Sequence, residues 1–221
     1  MALNSQGVVI RRESTVIGTT AYLSTNTISF DNVSKEIRRQ AGFTDFVAGM
    51  RVFSNASLNN KVFTISSATA ATTHLGVYDA VAAQASGVTV TLTGHVMQAI
   101  GEVVSFNGPG ITANVIDVTT LQSTAKEKLV GLQDPGQVSL SVLFNVETSS
   151  EIHRALESDM VSRTKRWYDI IETHPTTHKG AMFFNGYVSG FSITGAVDQA
   201  LKADISITLS SGCEFILPVS S

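Results

Sequence analysis

Gln137-Val138-Ser139-Leu140-Ser141-Val142-Leu143-Phe144-Asn145 is the stretch whose reading decides the fold. Val138, Leu140, Val142 and Phe144 alternate with Ser139, Ser141, Leu143 and Asn145. A period of two sends the sets to opposite faces of a strand, one buried and one wet. The alternation returns near the end, where Ala203, Ile205, Ile207 and Leu209 interleave with Asp204, Ser206, Thr208 and Ser210. Residues 167–172 and 181–194 read as strands between these two.

One helix interrupts this β pattern. Thr148 and Glu151 have the spacing of a capping box, in which each side chain takes a backbone N–H at the helix start. Ile152, Ala155, Leu156 and Met160 then fall on one stripe. Arg163, Lys165 and Arg166 follow, where the helix dipole favours cations. The spacing predicts a helix over about 149–163.

Upstream, Val8, Ile10 and the run 16–23 predict a first pair of strands. Residues 103–106 and 111–118 predict another pair, joined by the turn Asn107-Gly108-Pro109-Gly110. Between these lies a segment rich in Ala, Ser, Thr and Asn, over residues 24–96. Its short strand candidates are 27–30, 50–54, 61–66, 74–78 and 88–93, separated by turn residues such as Asn55 to Asn60. It reads as a small β-barrel or sandwich inserted into a discontinuous domain made of residues 1–23 and 97–221. The fold class expected is mostly β (α+β), with one flanking α-helix and a small inserted β domain.

The 221 residues suit one large domain or two small ones. Charged residues make up only 15%, against roughly 25% in a typical soluble domain. Low charge fits a chain whose surface is partly covered by copies of itself. Net charge is −3, with +2 up to Ile100 and −5 after it, so nothing overall suggests a grip on nucleic acid. Cys213 is the single cysteine, which excludes an internal disulfide and a cysteine-based zinc site and suits a reducing compartment. The first residues lack the basic start and apolar run of a secretory signal, and no stretch of about 20 apolar residues predicts a membrane span.

No constellation of reactive residues stands out, so no catalytic, cofactor or metal site is expected. Ser123 and Lys126 have serine-acylase spacing, but its companion motifs are missing. His174 and His178 sit four apart around Pro175, in what reads as a hairpin loop rather than a zinc-binding helix. Arg11-Arg12 and Arg38-Arg39 are too sparse for a nucleic-acid patch and read as solvated strand faces.

Ile116 to Gly136, with Val118-Thr119-Thr120-Leu121, Ser123-Thr124-Ala125-Lys126-Glu127, Gly131-Leu132, Asp134 and Gly136, followed by the Val138 strand, resembles the major tail tube protein family of siphophages. Val188 to Thr194 and Ala203 to Leu209 resemble that family's last two strands, so the likeness covers about residues 101–214 and the strands near the N-terminus. The insertion separately resembles a small β module of phage tail proteins, through Gly42-Phe43, Gly49-Met50, Val52, Asn59-Asn60, Phe63-Thr64-Ile65 and the run Gly87 to Gly94.

The resemblance implies a tail-tube β-sandwich or barrel whose hexameric rings stack around a DNA channel. Its partners would be copies of itself, tape measure, tail terminator and baseplate proteins, and double-stranded DNA in passage, with no membrane. It would be made in the bacterial host cytoplasm and end in the virion tail. A tube protein of a contractile injection machine, or a ring-forming head–tail completion or terminator protein, is the alternative.

Three expectations follow. The arm over residues 119–136 shows no period of its own, yet holds Leu121, Leu129, Val130 and Leu132, and is expected to pack on a neighbouring subunit. Lys126, Glu127 and Asp134 would supply its rim and turn. Glu172, Asp198 and Asp204 are candidates for a net negative lumen. The insertion is expected to decorate the outside of the tube and to be removable.

Overall fold

In the computed structural model, residues 7–14, 21–43, 45–67, 73–144, 150–173, 178–197 and 199–216 are described. They form seventeen strands and one helix, a mostly β chain as expected. The chain opens with β1 (Val8–Glu13). Seven strands follow: β2 (Ala21–Thr25), β3 (Ser29–Asp31), β4 (Glu36–Arg38), β5 (Arg51–Ser54), β6 (Val62–Ser67), β7 (His74–Val77) and β8 (Val90–His95). Next come β9 (Met97–Ala99), β10 (Val103–Asn107), β11 (Thr112–Asp117), β12 (Lys128–Asp134) and β13 (Gln137–Leu143). The helix α1 (Ser150–Ser162) precedes β14 (Arg166–Thr173), β15 (His178–Thr194), β16 (Lys202–Leu209) and β17 (Glu214–Ile216).

The chain divides into two compact units, and the long strand β15 belongs to both. One unit holds residues 100–166 and 183–214. In it β13 pairs antiparallel with β16, with Val138 opposite Ile207, Leu140 opposite Ile205 and Val142 opposite Ala203. These side chains are buried, together with Val188 of β15 and Ile152 and Leu156 of α1. The period-two reading of both strands therefore holds. β10 lies on the outer side of β13, and β17 pairs with β15.

The helix turns a different stripe inward from the one the apolar spacing predicts. His153 and Asp159 are buried beside Ile152 and Leu156, while Met160 is only half-buried. Each has a reason to be inside. His153 stacks on Phe144, with ring centroids 5.8 Å apart. Asp159 accepts a hydrogen bond from Arg166 Nε at 3.2 Å. No basic residue sits in the last helical turn. Arg163 lies just beyond it with φ of 52°, and Arg166 has passed into β14. Thr148 of the expected capping box lies outside the described residues.

The second unit holds residues 5–99 and 167–182. β2 to β8 form one seven-stranded sheet, ordered β2-β8-β5-β6-β7-β4-β3. Its core includes Phe30, Ile37, Phe43, Val52, Phe63, Ile65, Leu75 and Leu92. The five strand candidates of this segment are present within a few residues; β4 had no sequence signal of its own. The expected pairing of the first two strands is not what forms. β1 pairs with β14 and β9, and β2 pairs with β8. Likewise β10 pairs with β13 while β11 pairs with β12, so the turn at residues 107–110 is not a hairpin. Strand periodicity is local, whereas partner choice depends on which apolar faces meet far along the chain.

Burial holds the His153 imidazole below its ordinary pKa of 6.5, because the charged ring loses its hydration. The unfolded chain therefore binds that proton more readily than the folded one. The stability it contributes is complete above about pH 6.5 and declines as pH falls toward the depressed folded value. Urea midpoints measured from pH 8 to pH 5 should fall more steeply for the natural chain than for His153→Phe. Parallel curves would show that His153 does not titrate against folding.

Candidate functional site

The most unusual surface is the hairpin of β11 and β12, which forms a two-stranded sheet separate from the others. Val115 lies opposite Val130, Ile116 opposite Leu129 and Asp117 opposite Lys128. Adjacent residues point to opposite faces, so Val115 and Val130 present one apolar face and Ile116 and Leu129 the other. Both faces are exposed among the described residues. Leu129 is 58% exposed, Val130 70%, Leu132 92% and Leu121 fully exposed. The arm is thus not without period, as its sequence suggested: residues 128–134 are a strand. Its alternation is hidden because both faces carry apolar residues.

Polar groups shape the ends of this hairpin. Val118 N–H donates to Glu127 O at 3.0 Å, extending the ladder by one bond. Asp117 Oδ1 accepts from Thr119 N at 3.0 Å and Thr119 Oγ1 at 2.5 Å. These bonds hold the Asp117 carboxyl below its ordinary range. Thr119 Oγ1 accepts from Glu127 N at 3.0 Å, and Ser123 Oγ accepts from Thr120 N at 3.1 Å. Ser123 is therefore a loop-closing hydroxyl, and Lys126 and Glu127 are exposed beside it.

At the other end, Asp134 Oδ1 accepts from Gly136 N at 2.8 Å, an Asx turn that returns the chain to β13. Gly136 has φ of 77°, and a Cβ there would sit 2.3 Å from Gly110 O. Gly108 has φ of 108°, and a Cβ there would sit 2.4 Å from Gln137 O. Two glycines thus let the turn at 107–110 and the hairpin base press backbone against backbone.

A second surface is the side of β13, β16 and β15 opposite the core. Ser139 lies opposite Ser206, and Ser141 opposite Asp204, which in turn faces Ser192. Thr208 Oγ1 donates to Ser189 Oγ at 2.9 Å, and Ser189 Oγ donates to Ser206 O at 3.2 Å. Lys202 and Asp204 are the charged residues of β16. Of the expected lumen acids, Asp204 is exposed on this hydroxyl-rich face. Glu172 pairs with Val8 through its backbone, but its side chain lies outside the described residues, as does all of Asp198.

The remaining candidates have structural settings. Arg11 is ion-paired with Asp169, and Arg12 is buried, donating to Glu13 O. Arg38 pairs with Asp31 and Glu36, and Arg39 donates to Gly42 O. The first pair is therefore not the solvated face its sequence suggested. Cys213 is half-buried, and burial, aided by nearby Glu214, pushes its thiol up to about 11, away from thiolate chemistry. The loop between His174 and His178 lies outside the described residues. Among the described residues no cluster of three His, Cys, Asp or Glu side chains could hold a metal ion, and no helix is long and apolar enough to cross a membrane.

A family model described as "Phage tail tube, TTP, lambda-like" matches residues 72–218, which include the hairpin and the hydroxyl-rich face. No curated protein matches the chain.

Gly136→Ala should destabilise the chain by about 1–3 kcal/mol, since it forces a side chain into the left-handed region against Gly110. Urea unfolding measures this directly. Gly131→Ala, on a strand without a left-handed φ and with its Cβ 3.2 Å from Asn114 O rather than 2.3 Å from a neighbouring oxygen, should be milder. Equal losses at both sites would mean that the hairpin base is not the constrained point.

Proposed function

The chain belongs to the lambda-like phage tail tube family, and from that premise we propose that its subunits close into hexameric rings which stack into a tube conducting DNA. Its role in this reading is architectural rather than enzymatic, and its place is the virion tail, after synthesis in the host cytoplasm. Tape measure, tail terminator and baseplate proteins would be its partners. The observation that carries the reading is the hairpin β11–β12, which carries exposed apolar residues on both faces.

A lone subunit leaves that apolar area in water, at roughly 25 cal/mol per Å². A second copy can recover it. Stacked rings supply one at every step, which makes Leu121, Leu129, Val130 and Leu132 contact residues between subunits. Lys126, Glu127 and Asp134 then form a polar rim, each worth little alone. β10 and β9 end the larger sheet among the described residues, which supports ring closure, because strand pairing with a neighbour removes an edge that would otherwise template aggregation.

The hydroxyl-rich face of β13, β16 and β15 suits the channel wall. Each phosphate neutralised by a protein cation adds affinity and salt sensitivity, which would hold DNA that must slide. Ser139, Ser141, Ser206 and Thr208 make weak exchangeable contacts instead, and Asp204 adds repulsion. Glu172 and Asp198 remain the further acids proposed for that wall.

Leu129→Asp combined with Val130→Asp should give a folded, soluble protein that no longer makes tubes. Circular dichroism reports the fold, and negative-stain microscopy reports open-ended tubes, single rings or neither. Normal polymerisation of the double variant would remove the hairpin from the stacking contact. Single rings from the natural chain would favour a completion or terminator protein.

A further inference from the structure

β1 and β14 are buried on one face and partly buried on the other. Ile10, Arg12, Tyr168 and Ile170 are buried on one. The other carries Arg11 opposite Asp169, with Glu13 and Trp167 two residues farther along their strands and so on the same side. The inserted sheet covers this second face. Arg51, the first residue of β5, donates from Nε to Asp169 Oδ2 at 2.9 Å, and Arg11 donates from Nε to Oδ1 at 2.9 Å. Arg11 Nη1 also reaches Gly49 O at 3.2 Å. The Asp169 carboxylate is wholly buried and Arg51 nearly so. Arg51 continues inward to Thr64 Oγ1, and Thr64 N–H donates to Asp79 Oδ2.

A second cluster lies one step along the same face. His95, ending β8, meets Glu13 through Nδ1 and Oε1 at 2.7 Å. Trp167 packs on Phe53 of β5 at 4.6 Å between centroids and on His95 at 6.0 Å. β9 then leaves the inserted sheet and pairs directly with β1.

We propose that the inserted module, residues 21–95, is an obligate cover for the β1–β14 strand pair, positioned by the carboxylate of Asp169, and not a removable decoration. A carboxylate held by two guanidiniums from separate segments is a geometric constraint as well as an attraction. Without Arg51 it would be a buried charge with half its compensation gone. Without Phe53 and His95, Trp167 would lose two ring contacts. The module and the strand pair therefore unfold together, which reverses the expectation from sequence that a short linker could replace residues 24–96.

Native-state hydrogen exchange on the full chain tests this. Leu75→Ala weakens the module's core at a fully buried site on β7, and Leu75 is not among the residues of either cluster. Amide protection in β1 and β14 should fall at least tenfold, in step with β5 to β7. If β1 and β14 keep their protection while the module loses its own, the cover is dispensable and the proposal fails. Should Leu75→Ala not fold, Leu75→Val gives the same comparison at smaller amplitude. Asp169→Asn checks the positioning role. Trp167 is the only tryptophan, so its emission reports the contact. Emission should shift to the red, and protection in β6–β7 should fall together with that of β1 and β14. An unchanged emission would show that Asp169 does not set the contact.

Discussion

The pairing of β13 with β16 is the contact on which one whole unit of the chain depends, because it sorts side chains onto two unlike faces. Val138, Leu140 and Val142 meet Ile207, Ile205 and Ala203 on one face. Ser139 and Ser141 meet Ser206 and Asp204 on the other. The apolar face is buried, and so are Ile152 and Leu156 of α1 in the same unit. A sheet built this way has one side committed to its own core and one side that is polar.

The hairpin obeys the opposite rule. Both faces of β11–β12 carry apolar residues, and Leu129 and Val130 are exposed. A solvated strand pair ordinarily carries polar residues on its outer face. This departure makes sense if the second copy of the chain is treated as part of the folded state. The glycines at 108 and 136 then have a mechanical meaning: they let the hairpin's base press against the neighbouring turn.

The inserted sheet is joined through buried charge as well as aromatic packing. Two arginines far apart in sequence converge on one buried carboxylate, and a tryptophan, a phenylalanine and a histidine close the contact beside it. Buried ion pairs contribute less to net stability than to the uniqueness of an arrangement in several systems. Here the arrangement ties a segment that looks autonomous in sequence to strands on either side of it.

Much was legible in the sequence because it depends on neighbours a few residues away. The alternation in β13 and β16, the single helix after residue 145, the short strands of the insertion and the family likeness of residues 116–136 all rest on local spacing. Strand partners were not, since β1 could equally have paired with the run that follows it. Neither was the burial of His153 and Asp159, which depends on Phe144 and Arg166 reaching the helix from outside. Nor was the role of Asp169, whose partners lie 158 and 118 residues away. Side-chain period is written along the chain, but a buried charge acquires its partner only when distant strands come into register, and only the tertiary structure decides that.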